Sequence, residues 1–265
     1  MFRFALLASL LCAPFAARAE MPADIVTAAV LPGWQTPGGT RMAAVHLRLA
    51  PEWKTYWRSP GEAGIPPEFD WSGSENLKSV RFHWPRPTVF HTNGMQTIGY
   101  KRDLVLPVEL TPIDPSRPVI LRASVDLGVC RDICVPAAVS LGANLAGKGA
   151  DDALIDAALR ARPATASEAG VGAVTCRIDP IADGLRVTAT LDLPPQGTDE
   201  VVVLEPADPT IWTSEGETRR EGRHLISAVE MVAPSGQPFS INRSALTVTV
   251  LGDDRAVEIR GCPGS

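Results

Sequence analysis

Residues 125–136 read Val125-Asp126-Leu127-Gly128-Val129-Cys130-Arg131-Asp132-Ile133-Cys134-Val135-Pro136, with two cysteines at a junction of strand, turn and strand. Apolar runs at 119–127 and 135–145 flank the turn and predict the two strands of a hairpin. Such a hairpin can bring the two sulfur atoms into bonding range. This hairpin is therefore both a predicted element of the fold and a candidate site.

The short spacing of Cys130 and Cys134 predicts a disulfide that closes a small ring. A small ring constrains the unfolded chain little, and it is easily strained and therefore reducible. These properties favour a disulfide that exchanges with other thiols, and a static staple of the hairpin is the alternative. A metal site would need further ligands, and no histidine has a metal-ligand spacing to the pair; the four are His46, His83, His91 and His224. We predict neither a metal nor a cofactor.

The rest of the chain alternates short strand patterns with turn clusters, which favours an all-β fold. Strand candidates lie at 25–31, 42–49, 54–57, 80–84, 104–110, 173–178, 185–193, 200–205, 224–231, 245–251 and 256–259. Residues 151–160 have the pattern of a helix, and 163–172 have the composition of a linker. We predict two tandem immunoglobulin-like β-sandwich domains, 20–146 and 173–265, joined by a helix and linker at 147–172.

The first residues of the chain have the pattern of a secretory signal peptide. A short basic start is followed by an apolar run at 4–15 and by the small-x-small site Ala17-Arg18-Ala19. We predict cleavage after Ala19 and export to the periplasm. No later segment has the roughly 20 apolar residues that span a bilayer. The net charge of −5 without a basic block argues against binding to nucleic acid or anionic membranes.

Cysteine usage fits an exported protein. Of five cysteines, Cys12 leaves with the signal peptide, and the remaining four allow three pairings of two disulfides. The simplest pairing joins Cys130 to Cys134 and Cys176 to Cys262. The second bond closes a long loop, which the chain-entropy model values at roughly 4–5 kcal/mol, so we interpret it as structural.

At this point the chain resembles a known family. The segment 128–136 is similar to the redox segment of the N-terminal periplasmic domain of DsbD, the thiol:disulfide interchange protein. Further motifs resemble the branch that includes the suppressor of copper sensitivity protein B: residues 53–64, Phe69-Asp70-Trp71-Ser72-Gly73, Trp84-Pro85-Arg86-Pro87 and Gly99-Tyr100. The resemblance covers roughly residues 24–145 and is weaker in the second half.

The resemblance implies an immunoglobulin-like domain in which the pair Cys130 and Cys134 cycles between dithiol and disulfide. Its partners would be a membrane electron-transfer protein of the DsbD type and periplasmic thioredoxin-like or disulfide isomerase proteins. A cap loop would cover the disulfide and move aside for partners; by position it comprises Phe90, His91, Thr92, Asn93, Gly94 and Met95. Ordinary core packing is the alternative for Phe90 and Met95.

The chain also departs from the better-known DsbD proteins. They have five residues between the cysteines where this chain has three, and they carry a membrane channel and a C-terminal thioredoxin domain. We therefore expect a separately encoded membrane partner to supply electrons for a protein-disulfide reductase activity. The competing hypothesis is a non-catalytic β-sandwich adaptor in copper tolerance or in envelope protein or cytochrome c assembly. His83, His91 and Met95 are candidates for a soft metal such as copper, with packing or surface roles as the alternative.

Overall fold

The structure, a computed structural model, describes residues 25–92, 94–234, 236 and 238–264. The predicted signal peptide and its cleavage site lie outside the described residues. Across the described residues the chain folds into β-sandwiches with one short α-helix, which confirms the predicted all-β class. None of the helices in the described part is long and apolar enough to cross a membrane.

The N-terminal sandwich consists of two antiparallel sheets around an apolar core. Its strands, β1 to β10 in chain order, are Val26–Gln35, Arg41–Leu49, Lys54–Tyr56, Glu68–Asp70, Leu77–Phe82, Thr88–Thr92, Met95–Lys101, Asp103–Pro112, Val119–Cys130 and Cys134–Leu145. One sheet has the order β1-β2-β8-β5, and the other has the order β10-β9-β3-β7-β6, with β4 paired to β9. Successive residues of a strand face opposite sides, so Val125, Leu127 and Val129 of β9 point into the core.

The C-terminal sandwich also has two sheets. Its strands, β11 to β19, are Ala164–Thr165, Val174–Pro180, Leu185–Asp192, Val201–Glu205, Trp212–Thr213, Glu217–Glu221, His224–Val232, Thr247–Leu251 and Ala256–Arg260. One sheet has the order β11-β19-β18-β14, and the other has the order β12-β13-β17-β15, with β16 paired to β17. The clean alternation of residues 185–191 becomes β13, whose Val187, Ala189 and Leu191 are fully buried.

The segment between the sandwiches is ordered and attached to both. Its helix α1 (Ala153–Arg160) begins at Asp152, whose carboxylate accepts hydrogen bonds from backbone N–H groups of the first turn. Ile155 of α1 is fully buried against Met42 and Ala44 of β2. Downstream, β11 pairs in parallel with β19, so residues predicted as linker join the second sandwich. The domain boundaries at 146 and 173 stay a prediction.

Arg58, which follows β3, joins the two sandwiches through an ion pair. Its guanidinium donates two hydrogen bonds to Glu205, at 2.8 and 2.9 Å, and one to Glu258 at 2.8 Å. Burial alone would lower the pKa of Arg58, but the bonds to Glu205 and the charges of both carboxylates raise it above its ordinary value. The apolar side chains of Leu251 and Ala256 reach the N-terminal core beside this contact.

Replacing Arg58 by Ala is expected to destabilise the protein by about 2–4 kcal/mol, because Glu205 loses its cation and Glu258 keeps only the longer pair with Arg260. The control is Arg122→Ala, which breaks an exposed pair with Glu75 and should cost about 0–1 kcal/mol. Urea unfolding monitored by tryptophan fluorescence measures both values. Equal stability losses would show that the Arg58 contact contributes no more than a surface pair.

Candidate redox site

The disulfide hairpin is formed by β9 and β10, which pair without interruption from the turn to their far ends. Cys134 lies directly opposite Cys130 in this register, and the two sulfur atoms are bonded. Cys176 and Cys262 form the second bond, and both are fully buried in the C-terminal core. The predicted pairing of Cys130 with Cys134 and of Cys176 with Cys262 is thus present in the structure.

The two sulfur atoms of the hairpin differ in access. The residue Cys130 is 2% exposed, whereas Cys134 is exposed. The difference follows from the fold: β9 is covered on one side by β3 and β4, while β10 is the last strand of its sheet. A reagent thiol that approaches from solvent therefore meets Cys134 first. The spacing of the cysteines could not reveal this difference, because it depends on which strand lies at the edge.

Tyr56 is the side chain that contacts the disulfide. Its hydroxyl lies 2.8 Å from Sγ of Cys130 and 3.1 Å from Sγ of Cys134, and the residue is 2% exposed. Burial raises the pKa of Tyr56, so the phenol keeps its proton at neutral pH and can donate it in a hydrogen bond to sulfur. Tyr56 lies in the segment 53–64 that resembles the family, and its sequence context alone predicts no role for it.

The pairing of β3 with β9 explains why Tyr56 reaches the sulfur atoms. Lys54 lies opposite Cys130, so Tyr56, two residues on, shares the same sheet face and stands beside Gly128. A Cβ on Gly128 would lie 3.1 Å from the Tyr56 ring and 2.8 Å from Cβ of Ile65. Glycine at this position therefore leaves the space that the tyrosine ring and the isoleucine occupy.

Positive charge surrounds the disulfide on two sides. On β3 and β7, Lys54 and Lys101 face each other across the ladder. The pKa of Lys54 is lowered, mainly by burial and to a lesser extent by the charge of Lys101. At the turn, the exposed Arg131 pairs with Asp132 at 2.9 Å and also lies over the Trp53 ring. Cations near a cysteine favour its thiolate, so this environment suits thiol exchange.

The predicted cap residues form a second hairpin rather than a long loop. Phe90, His91 and Thr92 end β6, and Met95 begins β7, so Gly94 with a φ of 78° is at the tight tip. Asn93 lies outside the described residues. The ammonium groups of Lys54 and Lys101 both contact the Phe90 ring, at 5.1 and 5.0 Å from its centroid.

In this position Phe90 does not lie next to the disulfide. Strands β3 and β7 lie between β6 and the cysteine hairpin, and the hydroxyl of Tyr56 occupies the position next to sulfur. Met95 is 53% exposed. The prediction that this segment is a loop missed the strands because Asn93-Gly94 and the nearby prolines dominate the local pattern. The side chains of Thr88 and Val89 nevertheless suit a strand.

The candidate soft-metal residues are divided between the two sheets. His83 follows β5 and lies 3.4 Å from a carboxylate oxygen of Glu109, whereas His91 and Met95 belong to the β6–β7 hairpin. In the described ranges, no group of three or more His, Cys, Asp or Glu side chains could hold a metal ion. The copper interpretation therefore gains no support from this arrangement.

Comparison with known proteins finds a matching family model and a similar solved structure. Residues 27–144 match the family model described as thiol:disulfide interchange protein DsbD, N-terminal. The crystal structure of the N-terminal periplasmic domain of ScsB from Proteus mirabilis is similar, with 26% sequence identity and a TM-score of 0.67. That similarity covers 91% of this chain and 92% of the ScsB domain, so it includes both sandwiches. No curated protein sequence matches the chain.

Replacing Tyr56 by Phe is expected to raise the pKa of the Cys130 thiol in the reduced protein by about 1–2 units, because a thiolate there loses a charge-assisted hydrogen bond. Titration of thiolate absorbance in the ultraviolet measures the change. Tyr100→Phe is the control, since its hydroxyl donates to the carbonyl of Pro85. A Cys130 pKa that does not respond to Tyr56→Phe would contradict the donor role.

Proposed function

Residues 27–144 of this chain belong to the family of DsbD N-terminal domains, with a likeness to its ScsB branch, and on this basis we propose that the protein exchanges thiols and disulfides through Cys130 and Cys134. The observation that carries the proposal is the exposed Cys134, bonded to a buried Cys130, with a protonated phenol in contact with both sulfur atoms. A static staple would need neither the difference in access nor the donor.

The exposure of the two cysteines supports an order for the reaction, with Cys134 attacked first. A donor thiolate attacks Sγ of Cys134, a bond forms between the donor and Cys134, and the Cys130–Cys134 bond breaks. The electron pair of the broken bond goes to Cys130, which leaves as a thiolate. A second donor cysteine then attacks the donor sulfur of the mixed disulfide and releases Cys134. The donor becomes a disulfide, and the pair gains two electrons.

Tyr56 acts on the leaving group in this sequence. A buried thiolate is unfavourable unless hydrogen bonds or cations compensate its charge. The hydroxyl lies 2.8 Å from Sγ of Cys130, and Lys54 lies opposite that cysteine in the ladder. Donation by Tyr56 lowers the free energy of the departing thiolate and hence the barrier to the exchange.

The reduced pair passes its electrons on by the same steps in reverse. Cys134 attacks the disulfide of an acceptor, and Cys130 then attacks Cys134 of the mixed disulfide and restores the internal bond. We propose a membrane electron-transfer protein of the DsbD type as donor and periplasmic thioredoxin-like or disulfide isomerase proteins as acceptors. The family supports this assignment in general terms, and the matched ScsB domain is itself periplasmic.

The β6–β7 hairpin is the proposed cap, acting through its contact with lysine. Because the Phe90 ring holds the ammonium groups of Lys54 and Lys101, a movement of the β6–β7 tip would also move Lys54, which lies opposite Cys130. Opening of the hairpin would widen the approach of a partner to the disulfide beside the buried Cys130, and closure would narrow it for small thiols, while Cys134 stays exposed in both arrangements.

Trapping with single variants tests the assignment of the two cysteines. Cys130→Ala keeps the exposed sulfur and lacks the resolving one, so it should accumulate mixed disulfides with proteins of a periplasmic extract. Cys134→Ala leaves only the buried sulfur and should form them at least about tenfold more slowly, because access limits the attack. Non-reducing electrophoresis and mass spectrometry of the adducts provide the measurement.

Equal trapping by both variants would overturn the proposed order of attack.

The reduction potential of the unmodified protein separates exchange from the adaptor hypothesis. A value between about −270 and −120 mV is the range of disulfide oxidoreductases, and one below about −300 mV is typical of structural disulfides. The lower range would reject the exchange function altogether.

Replacing Phe90 by Ala tests the cap. If the hairpin shields the disulfide, the rate of reduction by a small thiol should rise severalfold while the potential stays unchanged, because only access is altered. The control is Phe69→Ala, which removes a ring from the cluster with Trp71 and Phe82 and should affect stability alone. A stability loss of about 3–5 kcal/mol with unchanged reduction would instead indicate that Phe90 is a packing residue.

A further inference from the structure

An open apolar groove runs along the outer face of the disulfide hairpin. Its volume is about 340 Å³, and its apolar lining comes from the segment between β3 and β4 and from β10: Ile65, Pro66, Pro136, Ala137 and Ala138. We call it the sulfur-side groove. Pro136 and Ala138 lie two and four residues from Cys134, so their side chains project from the same face of β10 as that cysteine.

The register of three strands gives the groove a direction. Cys134 lies opposite Cys130, and four residues further on Ala138 lies opposite Asp126, which in turn lies opposite Glu68 of β4. At about 3.3 Å per residue, Asp126 is roughly 13 Å along the strand from the disulfide. The groove therefore starts at Pro136, two residues from Cys134, and ends at the carboxylates of Glu68 and Asp126.

The two carboxylates at the far end lack cations. Glu68 and Asp126 are exposed, and neither takes part in an ion pair within the described ranges. They project from the same sheet face on neighbouring strands, where like charges disfavour each other. A cation from outside the chain would relieve this repulsion, so the electrostatics of this end favour a basic group.

Two large apolar side chains near the disulfide are exposed. Ile133, adjacent to Cys134, is 70% exposed, and Ile65 on the opposite wall is 43% exposed. Large apolar side chains that stay accessible around a reactive group are typical of a surface that a partner covers. The neighbourhood of Cys134 thus combines an attackable bond, apolar contact area and distant negative charge.

Resting on the exchange function proposed above, we propose that the sulfur-side groove binds an extended segment of the partner on either side of its reactive cysteine. With the partner's sulfur at Cys134, side chains two residues away contact Ile65 and Pro136. Side chains four residues away reach Glu68 and Asp126. The preferred segment carries an apolar residue at the second position from its cysteine and Lys or Arg at the fourth.

The charge of the occupant favours this segment over a second copy of the chain. The chain has a net charge of −5, and a second copy would bring the same two carboxylates to the contact. Specificity in such contacts comes from complementary charge, which acts mainly on the rate of association. The partner segment is therefore selected kinetically, by how fast its cysteine meets Cys134.

Two peptides with free thiols test the proposal on the full oxidised protein: Lys-Thr-Val-Thr-Cys-Thr-Val-Thr-Lys and its counterpart with Glu at both ends. Each peptide reads the same in both directions from its central cysteine, so a charged residue lies four residues away whichever way the peptide runs along the groove. The rate of mixed-disulfide formation, measured by acid quenching and mass spectrometry, should be roughly three- to tenfold higher for the Lys peptide at low ionic strength. The ratio should fall towards one in high salt.

Matched variants locate the effect. Glu68→Gln combined with Asp126→Asn should bring the ratio of the two rates close to one without changing the unfolding midpoint, because both groups are exposed. Asp151→Asn removes one exposed carboxylate that precedes α1 and should leave the ratio unchanged. Equal rates for both peptides with the unmodified protein, or a ratio that survives the double substitution, would overturn the groove proposal.

The outcomes separate the groove from the exchange function. If both peptides form mixed disulfides at the same rate, exchange stands and the groove is rejected. If neither peptide reacts while both react with glutathione disulfide, the exchange function itself fails. Self-association of the oxidised protein that the double substitution abolishes would show that the groove holds a second copy, which also overturns the proposal.

Discussion

The pairing of the short strand β3 with the end of β9, through Lys54 and Thr55, determines the geometry of the whole site. Without this short strand, Cys130 would lie at an open edge, and the two sulfur atoms would be equally accessible. With it, one sulfur is buried, a phenol stands beside both, and Lys54 lies opposite Cys130. The ladder hydrogen bonds and the buried Tyr56 ring therefore hold the disulfide in position, which its small covalent ring would not do alone.

The same short strand connects the site to the second sandwich. Arg58 follows β3 directly and is held by Glu205 and Glu258, so the C-terminal half fixes the chain two residues beyond Tyr56. The segment that starts there continues to Ile65, which covers Gly128. The C-terminal sandwich, which carries no candidate redox cysteine, thereby contributes to the position of side chains at the sulfur atoms.

Much of this arrangement is accessible from the sequence, and the reasons for the rest are physical. The long strands of the hairpin, β13 and the helix after Asp152 follow from periodicity and capping, and the pairing of four cysteines follows from their spacing. The strands that escaped prediction are short or flanked by proline and glycine, so tertiary pairing decides them; they are β4, β6, β7, β11, β15 and β16. Tyr56 had no local signal, since its role depends on register across three strands.

The position of β10 at the end of its sheet has a consequence for solubility. A long unpaired strand offers free backbone N–H and C=O groups on which other chains can add strands and aggregate. In β10, Pro136 lies two residues after Cys134 and has no N–H to donate. Proline at this point interrupts the template beside the exposed Cys134, so the sheet edge next to the disulfide is less able to recruit a further strand.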